Sequence, residues 1–96
     1  MDYVITNRLN EPIAEFMEKG PMLKLAANPN SIGANIGYVS KDQKQIEFAV
    51  GNTSDKENVI KNLISRGIPK GAIYVYKGAA GEMYPHKIGF RIKNKE

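Results

Sequence analysis

His86 is the only imidazole in the chain, which has no cysteine and no tryptophan. Its side-chain inventory for making or breaking bonds is therefore short. A general base must reach the proton it takes and usually leans on an orienting carboxylate. Glu82 lies close upstream in Gly81-Glu82-Met83-Tyr84-Pro85-His86, but a loop of this kind fixes no geometry, and a surface histidine beside a turn proline is the expected role. Glu11, Glu15 and Glu18 fall at i, i+4 and i+7, where paired carboxylates could share a proton or hold magnesium. Opposite an apolar stripe they read as a solvated helix face. Lys77-Gly78-Ala79-Ala80-Gly81 is a Gly-x-x-Gly loop with a lysine at its mouth, the composition of a phosphate cradle. Phosphate-binding loops of that type open a helix, and here strands flank the segment, so a hairpin connection is the expectation. The absence of cysteine excludes disulfides, thiolate metal sites and thiol nucleophiles together. The chain is expected not to be an enzyme, with no catalytic residue, no metal and no cofactor.

Recognition is better supplied than catalysis. Tyr74, Tyr76 and Tyr84 stand near Lys77, Lys87, Arg91 and Lys93. If the last two strands pair, one sheet face presents tyrosines beside a basic ladder. Such a surface suits an acidic protein or single-stranded nucleic acid. These seven residues are the expected partner-binding set.

The charge distribution points to the same end of the chain. Residues 1–48 carry five Lys/Arg against six Asp/Glu, a balance of −1, and residues 49–96 carry nine against four, a balance of +5. Lysines number eleven and arginines three, so any nucleic-acid contact would be directed to the backbone rather than to base edges. At 96 residues, 42% hydrophobic and 25% charged, the composition is that of one globular domain spanning residues 1–96. The start Met1-Asp2-Tyr3-Val4-Ile5-Thr6 lacks the basic end and long apolar run of a secretory signal, and no apolar stretch is long enough to span a bilayer. A cytoplasmic protein without membrane contact is the expectation.

The elements that must position these residues read as follows. Tyr3-Val4-Ile5-Thr6 is a short strand. Asn10 caps an expected helix over 11–19, with Pro12 in its first turn, Ile13, Phe16 and Met17 as its stripe, and Gly20-Pro21 as its stop. Met22 to Ala26 is expected as a strand with Leu23 and Leu25 inward, and residues 28–35 as an irregular run of turn formers. Ile36 to Ser40 and Gln45 to Val50 flank a polar turn as a β-hairpin, with Ile46, Phe48 and Val50 on one face. Ser54-Asp55-Lys56-Glu57 has the capping-box pattern for a helix burying Val59, Ile60, Leu63 and Ile64. Gly67, Ile68 and Pro69 close that helix. Ala72 to Tyr76 is a strand, and Lys87 to Lys93 is a last one with Ile88, Phe90 and Ile92 inward and Lys87, Arg91 and Lys93 to water. The order β-α-β-β-β-α-β-β implies an α+β domain, with two short helices on a largely antiparallel sheet of about five to six strands.

The stretch 36–90 resembles the pro-region module of secreted chymotrypsin-like bacterial proteases of the streptogrisin and α-lytic kind. The resemblance lies in Gly37-Tyr38-Val39, a polar turn, Ile46-Glu47-Phe48-Ala49-Val50, a helix, Gly67-Ile68-Pro69 and Ala72-Ile73-Tyr74-Val75. It implies a non-catalytic module that pairs strands with a protease, assists its folding and inhibits it. The last strands and Lys93-Asn94-Lys95-Glu96 would then make the contact.

The expected function is thus a small basic interaction module. It binds a protein partner through its C-terminal strands and inhibits or assists it. The alternative is a phage or mobile-element accessory protein that binds nucleic acid or a nucleoprotein complex, for example as a defence-system inhibitor.

Overall fold

The computed structural model describes residues 2–7, 9 and 11–94. The elements in chain order are β1 (Asp2–Thr6), β2 (Pro12–Glu18), α1 (Lys19–Ala27), β3 (Ile36–Val39), β4 (Gln45–Val50), α2 (Thr53–Ser65), β5 (Tyr74–Lys77) and β6 (His86–Asn94). Short 3-10 turns at Pro29–Ile32 and Lys70–Ala72 lead into β3 and β5. Every strand pairing is antiparallel, and the spatial order is β2-β1-β6-β4-β3. The fold is α+β, as the sequence implied.

β6 organises the sheet. Along one edge it pairs with β4, from Gln45↔Arg91 to Val50↔His86. Its other edge is shared: β1 takes Arg91 to Asn94, and β5 takes His86 to Gly89. The period-2 alternation of the sequence sends Ile46, Phe48, Val50, Ile88, Phe90 and Ile92 to one face, where all six are buried. Both helices cover that face, supplying Leu25, Ala26, Val59 and Leu63 to a single core cluster with Ile5, Ile32 and Ile68. Each large side chain of this cluster contributes about 1.5–3 kcal/mol by leaving water.

α2 follows from local code. Its N-cap is Asn52, whose side chain accepts from the Asp55 amide at 2.8 Å and donates back to the Asp55 carboxylate at 3.2 Å. The cap therefore lies two residues before the expected Ser54: the Asn52 side chain takes the Asp55 amide and its carbonyl takes the Lys56 amide, so the helix already runs through Ser54. The other end matches the expectation. Gly67 has φ 98°, its amide donates to Ile64, and the Ile68 amide donates to Leu63 in the Schellman pattern. Val59 and Leu63 are buried and Ile60 half-buried, but Ile64 is 41% exposed, so the stripe is narrower than expected.

The N-terminal third differs most. The expected helix over 11–19 is strand β2, and the expected strand over 22–26 lies in α1. The expected cap, Asn10, lies outside the described residues. Asn7 gives the physical reason for the exchange. Its Oδ1 accepts from the amides of Leu9 and Glu11, its amide donates to the Glu11 carbonyl, and its Nδ2 reaches the Glu11 carboxylate at 2.8 Å. These bonds tie Asn7 to Leu9 and Glu11, where the chain returns antiparallel to β1. Pro12 is tolerated as the first residue of an edge strand. Pro21 then falls in the first turn of α1, where a missing N–H has no intrahelical acceptor to lose, so Gly20-Pro21 begins a helix rather than ending one. In α1 Leu25 and Ala26 are buried and Leu23 only partly. α1 ends against β3, where a Cβ at Gly37 would run into the Ala26 carbonyl. With β2 a strand, the three-glutamate helix face does not form. Glu11 instead bonds to Asn7.

β5 begins at Tyr74 rather than Ala72, which completes the preceding 3-10 turn. Among the described residues, no helix is long and apolar enough to cross a membrane.

Candidate functional site: the outer face of the sheet

The face of β4, β5 and β6 opposite the helices collects the side chains that point away from the core. Tyr74 and Tyr76 project from β5, Gln45 and Glu47 from β4, and Lys87 and Arg91 from β6, as strand alternation requires. Gly89 is the residue of β6 that lies between Glu47 on one side and Tyr74 on the other. A Cβ there would sit 2.7 Å from the Tyr74 ring and 2.8 Å from Glu47 Cγ. The missing side chain is the space across which Tyr74 reaches over the strand.

The result is one carboxylate held by two phenols. The Tyr74 hydroxyl donates to Glu47 Oε2 at 2.6 Å, and the Tyr76 hydroxyl donates to Oε1 at 2.6 Å. Gln45 Nε2 donates to the Tyr74 oxygen at 2.7 Å and to Glu47 Oε2 at 3.1 Å. The two rings lie near-parallel, 18° apart, with centroids separated by 6.2 Å. Burial, followed by donation to Glu47, pushes the Tyr74 phenol far above its ordinary range. Donation to Glu47 is the first cause at Tyr76, with burial second, and moves that phenol up to about 12. Neither phenol is a useful proton donor near neutral pH. Their order serves to hold ring faces in place.

Two open depressions flank the clamp. One, of about 420 Å³, is lined by Gln45, Tyr74, Val75, Tyr76 and Arg91. The other, of about 250 Å³, lies between Ile36, Tyr38, Glu47, Tyr76 and Lys87. Tyr38 is 57% exposed, and Ile36 and Tyr76 are each 48% exposed. Arg91 has no carboxylate partner among the described residues.

Of the seven expected residues, the fold brings together Tyr74, Tyr76, Lys87 and Arg91. Lys93 follows Arg91 on the same face, but beside Val4 of β1. Lys77 turns to the opposite side of the sheet, sharing a depression with Lys56, Val75 and His86. Tyr84 lies in the β5–β6 loop near Gly51 and is not part of the face. The ladder is also less free than expected. Lys87, Arg91 and Lys93 are only partly exposed, because neighbouring strands flank β6 on both edges, and Lys87 Nζ pairs with Glu82 Oε1 at 2.8 Å. Lys95 and Glu96 of the expected contact tail lie outside the described residues.

The Gly-x-x-Gly loop holds an anion of its own. Glu82 Oε2 accepts from the Ala79 amide at 2.7 Å, and with Lys87 this draws the Glu82 carboxyl below its usual range, Lys87 being the larger cause. The single histidine starts β6 opposite Val50 and Lys77, and no carboxylate lines its depression.

Sequence reasoning missed Glu47, Gln45 and Tyr38. The signal for Glu47 was Gly89, a glycine inside the otherwise regular alternation of the last strand, which marks close approach of another group. Comparison of the chain with family models, curated proteins and solved structures gives no match.

Proposed function

We propose that this chain is a non-catalytic binding module that takes hold of a protein partner through the outer face of β4, β5 and β6, and so inhibits or assists it. The observation that carries the reading is the pair of tyrosines anchored on Glu47 beside Arg91, which has no carboxylate partner among the described residues. Tyrosine and arginine are the residues that dominate interface energetics, and rings already fixed in place lose little freedom on binding. Ile36 and Tyr38 extend the apolar part of the face, and Arg91 and Lys93 give it a cationic rim suited to acidic groups on the partner.

A nucleic-acid partner fits less well. The Glu47 carboxylate stands in the middle of the face and would oppose a polyanion. Lys87, one of the three cations of the ladder, is already neutralised by Glu82.

The test is parallel capture from host lysate with the parent protein and with Tyr76→Ala combined with Arg91→Ala, identifying retained proteins by mass. A protein retained by the parent and lost with the double variant supports the reading. Retention that ignores both substitutions refutes it. So does binding to single-stranded DNA or RNA that weakens steeply with salt.

A further inference from the structure

Among the described residues the sheet leaves three strand edges open, at β2, β3 and β5, and the sequence treats them differently. β2 carries Pro12, Glu15 and Glu18. β5 ends on Lys77, with Lys56 and His86 beside it. Proline and charge are devices that keep an edge from joining another strand. β3, Ile36-Gly37-Tyr38-Val39, carries neither, and its register with β4 is unbroken.

One hydrogen bond gives the direction of its backbone groups. The Ser40 amide donates to the Gln45 carbonyl at 3.0 Å. By antiparallel alternation the amides and carbonyls of Tyr38 and Ile36 also turn toward β4, and those of Gly37 and Val39 turn to the open edge. Ile36 and Tyr38 stand exposed on the face away from α1.

We propose that β3 pairs antiparallel with β3 of a second copy of this chain, about a two-fold axis at Gly37. Gly37 exchanges amide–carbonyl bonds with Gly37 of the second copy. The Val39 amide reaches the Asn35 carbonyl across the axis; the Asn35 amide itself is already given to Ala49. Ile36 of each copy lies opposite Tyr38 of the other, a β-branched–aromatic pair of the kind that stabilises sheets, formed twice.

Sequence leaves this edge the least guarded against a second copy, since the β2 segment carries a proline and two acids and β5 ends on Lys77. β3 meets itself without like charges. The antiparallel arrangement also carries the turn containing Lys41 and Lys44 to the polar 33–35 stretch of the second copy, away from its own equivalent. The two outer faces then continue as one surface. The pairing shares Ile36 and Tyr38 with the margin of the proposed binding face, but its test reads the mass of the chain alone and so does not depend on what that face binds. Two four-residue strands bury less than the roughly 1,200 Å² of a stable interface, so the dimer forms reversibly with concentration.

Sedimentation velocity on the full chain, from micromolar to millimolar, tests this. The mass is expected to rise from 10.7 kDa toward twice that value, with amide exchange slowing at Gly37 and Val39 and unchanged at Val75 and Lys77. Tyr38→Lys and, separately, Ile36→Lys change solvent-facing side chains and are expected to hold the protein at the single-chain mass with its thermal transition retained. A single-chain mass at every concentration overturns the proposal, as does association that survives both substitutions. Growth beyond two copies also overturns it, pointing instead to heterologous pairing of the acidic β2 edge with the basic β5 edge.

Discussion

Replacing Gly89 by alanine tests whether the outer face is built as described. The new Cβ would lie 2.7 Å from Tyr74 Cζ, 2.7 Å from its hydroxyl oxygen and 2.8 Å from Glu47 Cγ. Carbon atoms in contact prefer about 3.5–4.0 Å, so the phenol must retreat by roughly 1 Å. That movement opens the 2.6 Å bond to Glu47 and the 2.7 Å bond from Gln45. Overpacking costs about 1–3 kcal/mol, and removing a strand glycine returns about 0.5–1 kcal/mol of backbone entropy. The weakened phenol–carboxylate bond adds a term at the low end of about 1.5–3 kcal/mol, because the site is partly solvated. The expected net loss is about 2 kcal/mol, a fall in Tm of roughly 8–15 °C for a domain of this size. Thermal and urea unfolding followed by circular dichroism measure it. The decisive control is Tyr74→Ala: with the ring gone and Glu47 released, Gly89→Ala should cost little or stabilise. A neutral Gly89→Ala in the parent, or an equal cost in both backgrounds, would refute the crossing of Tyr74 over β6.

Two further outcomes follow from the same geometry. Asn52→Ala should destabilise by about 1 kcal/mol and Ser54→Ala by only a few tenths, in urea unfolding, because Asn52 holds the Asp55 amide in the first turn of α2; the reverse order would move the cap. In an alkaline titration of tyrosinate absorbance resolved by residue, the Tyr74 and Tyr76 phenols should ionise above the ordinary phenol value of 10.0. A folded-state pKa raised from 10.0 to about 12 at Tyr76 adds stability that is fully present below pH 10 and is lost as pH rises toward 12. Glu47→Gln should bring both phenols back toward their ordinary range. Ionisation of Tyr74 or Tyr76 at the ordinary phenol value would count against the clamp.

The face was half visible in the residue pattern. Tyr74 and Tyr76 fall two apart, as do Lys87, Gly89 and Arg91, so each set shares a side of its strand by alternation alone. Lys77 breaks that parity by one residue and turns to the helix side. Tyr84 belongs to a loop, where alternation has no meaning. Glu47 could not be placed beforehand, because it reaches the tyrosines only through the pairing of β4 and β5 on opposite edges of β6 near Gly89.

Local code settled what short-range physics can settle: the closing motif of α2 at Gly67 and Ile68, the β3–β4 hairpin, and the alternation of Ile88, Phe90 and Ile92 that makes β6 a half-buried strand. Each rests on hydrogen bonds or side-chain spacing within a few residues, and so survives without knowledge of neighbours. The segment 12–27 had no such autonomy. Ile13, Phe16 and Met17 satisfy a helical stripe as well as a short strand, and Gly20-Pro21 serves as either a stop or a first turn. Only the pairing with β1, directed by the bonds of Asn7, and the packing of Leu25 and Ala26 into a core shared with Ile32, Phe48 and Val59 chose between them, because those partners are distant in the chain and their contacts exist only once it is folded.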